Sequence, residues 1–152
     1  MNRESSRSHA IFTAYMRTTT VDKENQKTVR SSKLHIIDLA GSERVKDTQA
    51  EGKRLKEACK INVSLTFLGR VINFLAEAES KKTSSYINYR ESKLTHLLKD
   101  SLGGNSKTII VCTLNPNQMA IRETLSTLKF AERAKKIKNK AIVNEENNEK
   151  YF

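Results

Sequence analysis

Residues 29–39 constrain the fold of this chain more than any other stretch, because Leu34, Ile36 and Ile37 make an apolar run that ends in Asp38. A strand that is apolar on both sides reads as a buried, central strand. Such a strand needs a partner on each edge, since an open edge leaves a row of unpaired N–H and C=O groups. One partner lies close in sequence. Residues 9–20 alternate, with Ile11, Thr13 and Tyr15 on one side and Phe12, Ala14 and Met16 on the other, and the polar residues 22–28 between the two stretches read as a hairpin turn.

From residue 51 the period changes. Leu55, Ala58, Ile61, Leu65, Leu68, Ile72 and Leu75 recur at steps of three and four, which predicts a long helix, with a break near Asn62. Phe67, Val71 and Phe74 add a second apolar face, so this helix is either sandwiched in the core, the commoner case, or offers that face to a partner. Residues 80–85 form a polar loop, and residues 92–102 a short helix stopped by Gly103-Gly104. Residues 109–114 read as a third strand, ended by the only proline, Pro116. Ile121, Leu125, Leu128, Ala131, Ala134 and Ile137 mark a final helix, after which Ile142-Val143 leads into an acidic, Asn-rich tail.

The 152 residues suit one domain, and 37% hydrophobic with 30% charged residues is the mix of a soluble globular protein. With 6% aromatics and no Trp, the core must rely on Leu, Ile, Val and Ala and is modest for its length. Against 17 Asp+Glu stand 28 Lys+Arg, and a net charge of +11 favours encounter with a polyanion: nucleic acid, anionic membrane or an acidic protein filament. Cys59 and Cys112 are far apart, and His9, His35 and His96 show no metal-ligand spacing, so the thiols read as reduced and structural. Asn2-Arg3-Glu4-Ser5 does not resemble a signal peptide, and no apolar run approaches the roughly 18 residues of a membrane span. A cytoplasmic or nuclear protein is expected, with no membrane partner.

Two stretches carry chemistry. Asn2-Arg3-Glu4-Ser5-Ser6-Arg7-Ser8-His9 is a hydroxyl-rich loop running into a strand, where a Ser oxygen can ligate Mg²⁺ and a guanidinium can bridge a carboxylate or phosphate. On its own such a loop is more often a solvated turn. In Leu34-His35-Ile36-Ile37-Asp38-Leu39-Ala40-Gly41-Ser42-Glu43, an apolar strand delivers Asp38 at its C-terminal end, where open sheets bind ligands, and Gly41 lets a backbone N–H approach a phosphate. Alone, Asp38 serves equally well as a strand-end cap.

Together, N-x-x-S-S-R-S-H followed by D-L-A-G-S-E resembles the switch I and switch II pair of kinesin motor domains. Gly52-Lys53-Arg54-Leu55-Lys56-Glu57-Ala58 and Ile61-Asn62-Val63-Ser64-Leu65 are similar to that family's switch helix. Tyr89-Arg90-Glu91-Ser92-Lys93-Leu94-Thr95 resembles its filament-binding loop and following helix, and Glu123-Thr124-Leu125-Ser126-Thr127-Leu128 with residues 131–139 resembles its last motor helix. Residues 47–52 and 138–141 look closest to the kinesin-twelve class. The resemblance implies an α/β fold, a partial P-loop NTPase of kinesin type with central mixed-sheet strands flanked by long helices and its N-terminal half missing. Residues 1–139 would be the C-terminal part of the motor domain and residues 140–152 the neck linker and polar tail.

The same resemblance implies an ATP-driven microtubule motor with ATP and Mg²⁺ as cofactors, placed on the cytoskeleton in the cytoplasm and on microtubules, the spindle among them. Ser6 would ligate Mg²⁺, Asp38 would hold it through water, Asn2 would line the nucleotide site, and Ser5 would position the attacking water. Gly41 would sense the γ-phosphate, while Arg7 and Glu43 would pair to close the two switches. Lys53, Arg54, Lys56, Arg90, Lys93 and Lys99 would face acidic tubulin, although Lys-rich helix faces are usually just solvated. Val63 stands where the family commonly has a basic residue.

The sequence contains no G-x-x-x-x-G-K-[ST] loop to cradle the α- and β-phosphates, so the chain alone is not expected to hydrolyse ATP. Strands that would flank residues 29–39 in the family lie mostly upstream of Met1, which implies a chain of marginal stability with an open sheet edge and exposed apolar surface. Either the chain is part of a motor whose partner is the remaining motor half, or it is a non-catalytic microtubule-binding module derived from a kinesin. A nucleic-acid binder, suggested by charge alone, lacks a stacking pattern or recognition motif.

Overall fold

The computed structural model describes residues 8–23, 25–41, 53–81 and 86–147, and within the long helix it describes side chains from Val63 onward. The chain divides into two compact units, Met1–Gly41 with Ile142–Phe152, and Ser42–Ala141.

In the first unit β1 (Ala10–Val21) and β2 (Lys27–Asp38) form the expected hairpin, antiparallel from Ala10↔Asp38 to Val21↔Lys27. The turn closes through Asp22, whose carbonyl accepts from Asn25 N–H at 3.1 Å and whose carboxylate accepts from Gln26 N–H at 2.8 Å. Asn25 sits at φ 64°, a conformation that Asn tolerates better than most residues. Across the ladder Thr13 and His35 hydrogen-bond at 2.8 Å, and the Lys33 ammonium lies 5.7 Å from the Tyr15 ring.

The acidic segment read as tail supplies a third strand, β3 (Glu145–Asn147), antiparallel to residues 28–30 of β2. Backbone Ser31 N–H donates to Asn144 C=O at 3.1 Å, and Arg30 pairs with Glu145. β2 is therefore central in the strand order, but the burial expected of it is found at Val29 alone. Leu34 and Ile36 stay exposed, and Ile36 (60%) faces solvent beside Phe12 (62%), its partner across the ladder. The reason is geometric: beyond residue 31 no described strand covers the second edge of β2, and one face of the hairpin is open. The α/β class holds. All three described strands are antiparallel, so any parallel members of a mixed sheet lie outside the described residues.

The second unit is built on α1 (Lys53–Lys81), which runs through Asn62 without the expected break. Leu68, Val71, Ile72 and Ala76 are buried where α1 meets α2 (Lys93–Leu97) and α3 (Ile121–Lys135). Of the second apolar face, Val71 thus belongs to the core, Phe67 is half-buried and Phe74 is exposed. α2 is shorter than the sequence implied, because the helix tightens after Leu97 into a 3-10 turn over Lys99–Ser101. Gly103, at φ +83°, then reverses the chain, and a Cβ there would stand 2.9 Å from Leu75 Cδ2.

Residues 109–114 are the clearest departure: they enter no ladder, and Ile109 (91%) and Val111 (84%) are almost fully exposed. β-propensity makes a strand only where a partner strand receives its hydrogen bonds, and none of the described residues does so. Cys112 is a free, half-buried thiol in this segment. No helix of the described residues is long and apolar enough to cross a membrane.

Gly103→Ala should destabilise the protein by about 2 kcal/mol, the left-handed penalty plus displacement of Leu75. Tyr89→Phe should cost about 1 kcal/mol, since Tyr89 Oη donates to Leu102 C=O at 2.6 Å. Urea denaturation followed by helical circular dichroism measures both, and unchanged midpoints would contradict the packing described.

Candidate functional site

The hairpin register decides which residues stand at its open end. Because Ala10 pairs with Asp38, the chain enters β1 and leaves β2 at the same end of the ladder, which sets His9 and the residues from Asp38 to Gly41 at one end of the hairpin. Asp38 is the last residue of β2, exposed, with Gly41 half-buried three residues on. Asn2, Ser5, Ser6, Arg7 and Glu43 lie outside the described residues.

A tie between the two stretches that the sequence reading missed comes from His9. Its Nδ1 accepts a hydrogen bond from the Ala40 N–H at 3.0 Å, across 31 residues of sequence and one step beyond the last ladder pair. Ala40 is buried, so its N–H needs a protein acceptor. Burial pushes the His9 imidazole below the ordinary histidine value of 6.5. The direction suits the bond: a neutral ring can accept at Nδ1, whereas a protonated one presents N–H to N–H. Only the adjacency of His9 and Leu39 in an extended register would have signalled it.

The described donor set at this end is one carboxylate, Asp38. That suits Mg²⁺ carried with a nucleotide, because the ion keeps several waters and takes further ligands from phosphates. A metal caged by protein alone has no match among the described residues, where no three His, Cys, Asp or Glu converge.

The second unit carries the basic candidates. Asn88 caps the 3-10 turn Tyr89–Glu91 and Ser92 caps α2, its Oγ accepting from Thr95 N–H at 3.0 Å. Thr95, at 0% exposure, donates from Oγ1 to Tyr89 C=O at 2.7 Å, while Leu94 and Leu98 are buried on the same inner side. With its inner side fixed in this way, the segment turns Arg90, Lys93 and Lys99 outward, all three exposed and, among the described residues, in no ion pair. Lys53, Arg54 and Lys56 occupy the first turns of α1, with side chains outside the described residues.

Acid should weaken the hairpin. Unfolded, His9 binds its proton near 6.5, but folded it does so only at lower pH, so the unfolded state gains the proton first and stability falls as pH drops from 6.5 through the folded value. Thermal midpoints at about pH 7.5 and about pH 5.5 should differ less in His9→Ala than in the native chain. An equal difference in both would remove His9 from the account.

A family model described as the kinesin motor domain matches residues 1–137. Kinesin-like protein KIF15-B of Xenopus laevis and KIF15 of Homo sapiens are each 56% identical over 147 residues, 96% of this chain and 10% of their own length. Kinesin-like protein KIN-12D of Arabidopsis thaliana is 52% identical over 149 residues, 98% of this chain and 5% of its own, in keeping with the kinesin-twelve leaning of the sequence. Among solved structures, a KIF14 dimer with two heads bound, with AMP-PNP and in complex with a microtubule, matches with a TM-score of 0.81 and 45% identity. That match covers 91% of this chain and 38% of the KIF14 chain, and the chain spans about a tenth of the length of the KIF15 relatives it matches. Matched along nearly its whole length by that model and by relatives more than half identical to it, the chain belongs to the kinesin motor domain family.

Proposed function

We propose that this chain is the nucleotide-sensing and filament-facing part of an ATP-driven microtubule motor, working together with the remaining part of a motor head. The observation that carries the reading is the Ala10↔Asp38 register, which sets the start of β1, next in sequence after the hydroxyl-rich stretch, beside Asp38. The relatives named as kinesins and the KIF14 structure with AMP-PNP on a microtubule support it.

In this reading Ser6 ligates Mg²⁺ and Asp38 holds it through water, with Asn2 beside the nucleotide, Ser5 directed at the attacking water and the Gly41 N–H at the γ-phosphate. Arg7 and Glu43 close the two loops as an ion pair. The bound ion would neutralise phosphate charge during phosphoryl transfer. The 152 residues hold no P-loop, so they complete a catalytic site rather than form one. Lys53, Arg54, Lys56, Arg90, Lys93 and Lys99 meet acidic tubulin, which places the protein on microtubules, those of the spindle included.

The alternative, a non-catalytic microtubule-binding module, is favoured by one observation: Arg90, Lys93 and Lys99 stand within Ser42–Ala141, a unit with its own buried core. Both readings require filament binding, and ATP turnover by a reconstituted head separates them.

Co-sedimentation with microtubules should weaken about fivefold in the Arg90→Ala/Lys93→Ala double variant, and binding should fall steeply as salt rises. Affinity unchanged by both would leave the filament face elsewhere. Phosphate release by the 152-residue chain should match that of its Glu43→Ala variant, and microtubule-stimulated release above that control would show that the chain needs no partner for hydrolysis.

A further inference from the structure

We infer that His9 is a positioning residue that ties the start of β1 to the stretch after β2, by holding the backbone amide of Ala40 and through it the direction of the Gly41 N–H. The inference rests on the proposed role of Gly41 as the phosphate sensor. Among the described residues the ladder stops at Ala10↔Asp38, and no strand hydrogen bond ties the two sides beyond that pair. The next tie across the gap is from side chain to backbone, the 3.0 Å bond between His9 Nδ1 and Ala40 N–H.

Peptide planarity gives that bond its reach. With the Ala40 amide fixed, only φ and ψ of Ala40 separate it from the plane that contains the Gly41 N–H. Ala40 is buried, which narrows those two angles further. The start of β1 is thereby linked, through His9, to where the Gly41 donor points.

Residue chemistry explains why a histidine suits this place. The position needs an uncharged acceptor. A carboxylate would add negative charge beside Asp38 and near a bound phosphate, and Lys or Arg can only donate. A neutral imidazole accepts at Nδ1 while its proton sits on Nε2, and among other side chains the Asn amide oxygen comes closest to the place of Nδ1. Asn is therefore the conservative replacement and Ala the disruptive one.

Two measurements test the inference. In the 152-residue chain, amide hydrogen exchange at Ala40 and Gly41, read by NMR, should be at least about tenfold faster in His9→Ala than in the native chain and return toward native in His9→Asn. In a chimeric motor head, where this chain replaces the matching segment of a relative, His9→Ala should lower the microtubule-stimulated kcat about tenfold while KM for ATP moves less than about twofold, and His9→Asn should restore most of the loss. A role confined to stability would lower the active fraction of both variants without separating Ala from Asn. Equal exchange at Ala40 in all three proteins overturns the inference, as does equal kcat for His9→Ala and His9→Asn in an active chimera. If the native chimera does not turn over ATP, the proposed function fails, and amide exchange alone decides the question for His9.

Discussion

The Asp38 end of the first unit depends on the register of one antiparallel hairpin. Twelve cross-strand pairs set Ala10 against Asp38. A slip of one residue would turn every side chain of β2 to the opposite face and carry Asp38 away from the start of β1. The register is specified at both ends, by the Asp22 turn at one and by the His9–Ala40 bond at the other. β3 adds a short third strand on the central one, where Glu145 meets Arg30. The hairpin thus acts as a ruler whose zero lies at the loop end, and a substitution at the turn is felt twelve residues away.

The second unit solves a different problem, presenting charge without losing order. A five-residue helix has almost no stability of its own. α2 persists because Thr95, Leu94 and Leu98 fix its inner side and Ser92 caps it. Tyr89 and Gly103 then close the ends of the segment, through the Leu102 carbonyl and the reversal after it. The outward cations need no partners within the unit to stay where they are, and this leaves their charge available to an acidic surface.

Much of this was legible in the sequence, for identifiable reasons. Period-two alternation at Ile11 to Met16 and period-three-and-four spacing at Leu65 to Leu75 are local signals, and both elements appear where the patterns predict. Asp38 was legible as a strand-end carboxylate because the apolar run stops there. What failed needed information from elsewhere in the chain. Residues 109–114 have every local mark of a strand but no receiving edge among the described residues, while Glu145–Asn147 has none of those marks and pairs because Arg30 and the free edge of β2 are there. His9 escaped notice because its partner is a backbone amide, which no side-chain motif announces. The expected break near Asn62 does not occur, since Asn tolerates a helix interior at modest cost.

The bare segment at Ile109 and Val111 has a colloidal consequence. Residues 108–114 are uncharged, rich in β-branched side chains and free of Gly and Pro, the composition of a strand that stacks with its own copies. What keeps copies apart at low ionic strength is the +11 net charge, a repulsion that acts over about 10 Å in 0.1 M salt and over less as salt rises. Added salt would therefore do two things to this molecule: in the proposed role it would loosen the hold on an acidic filament, and it lowers the barrier that keeps one exposed segment from finding another.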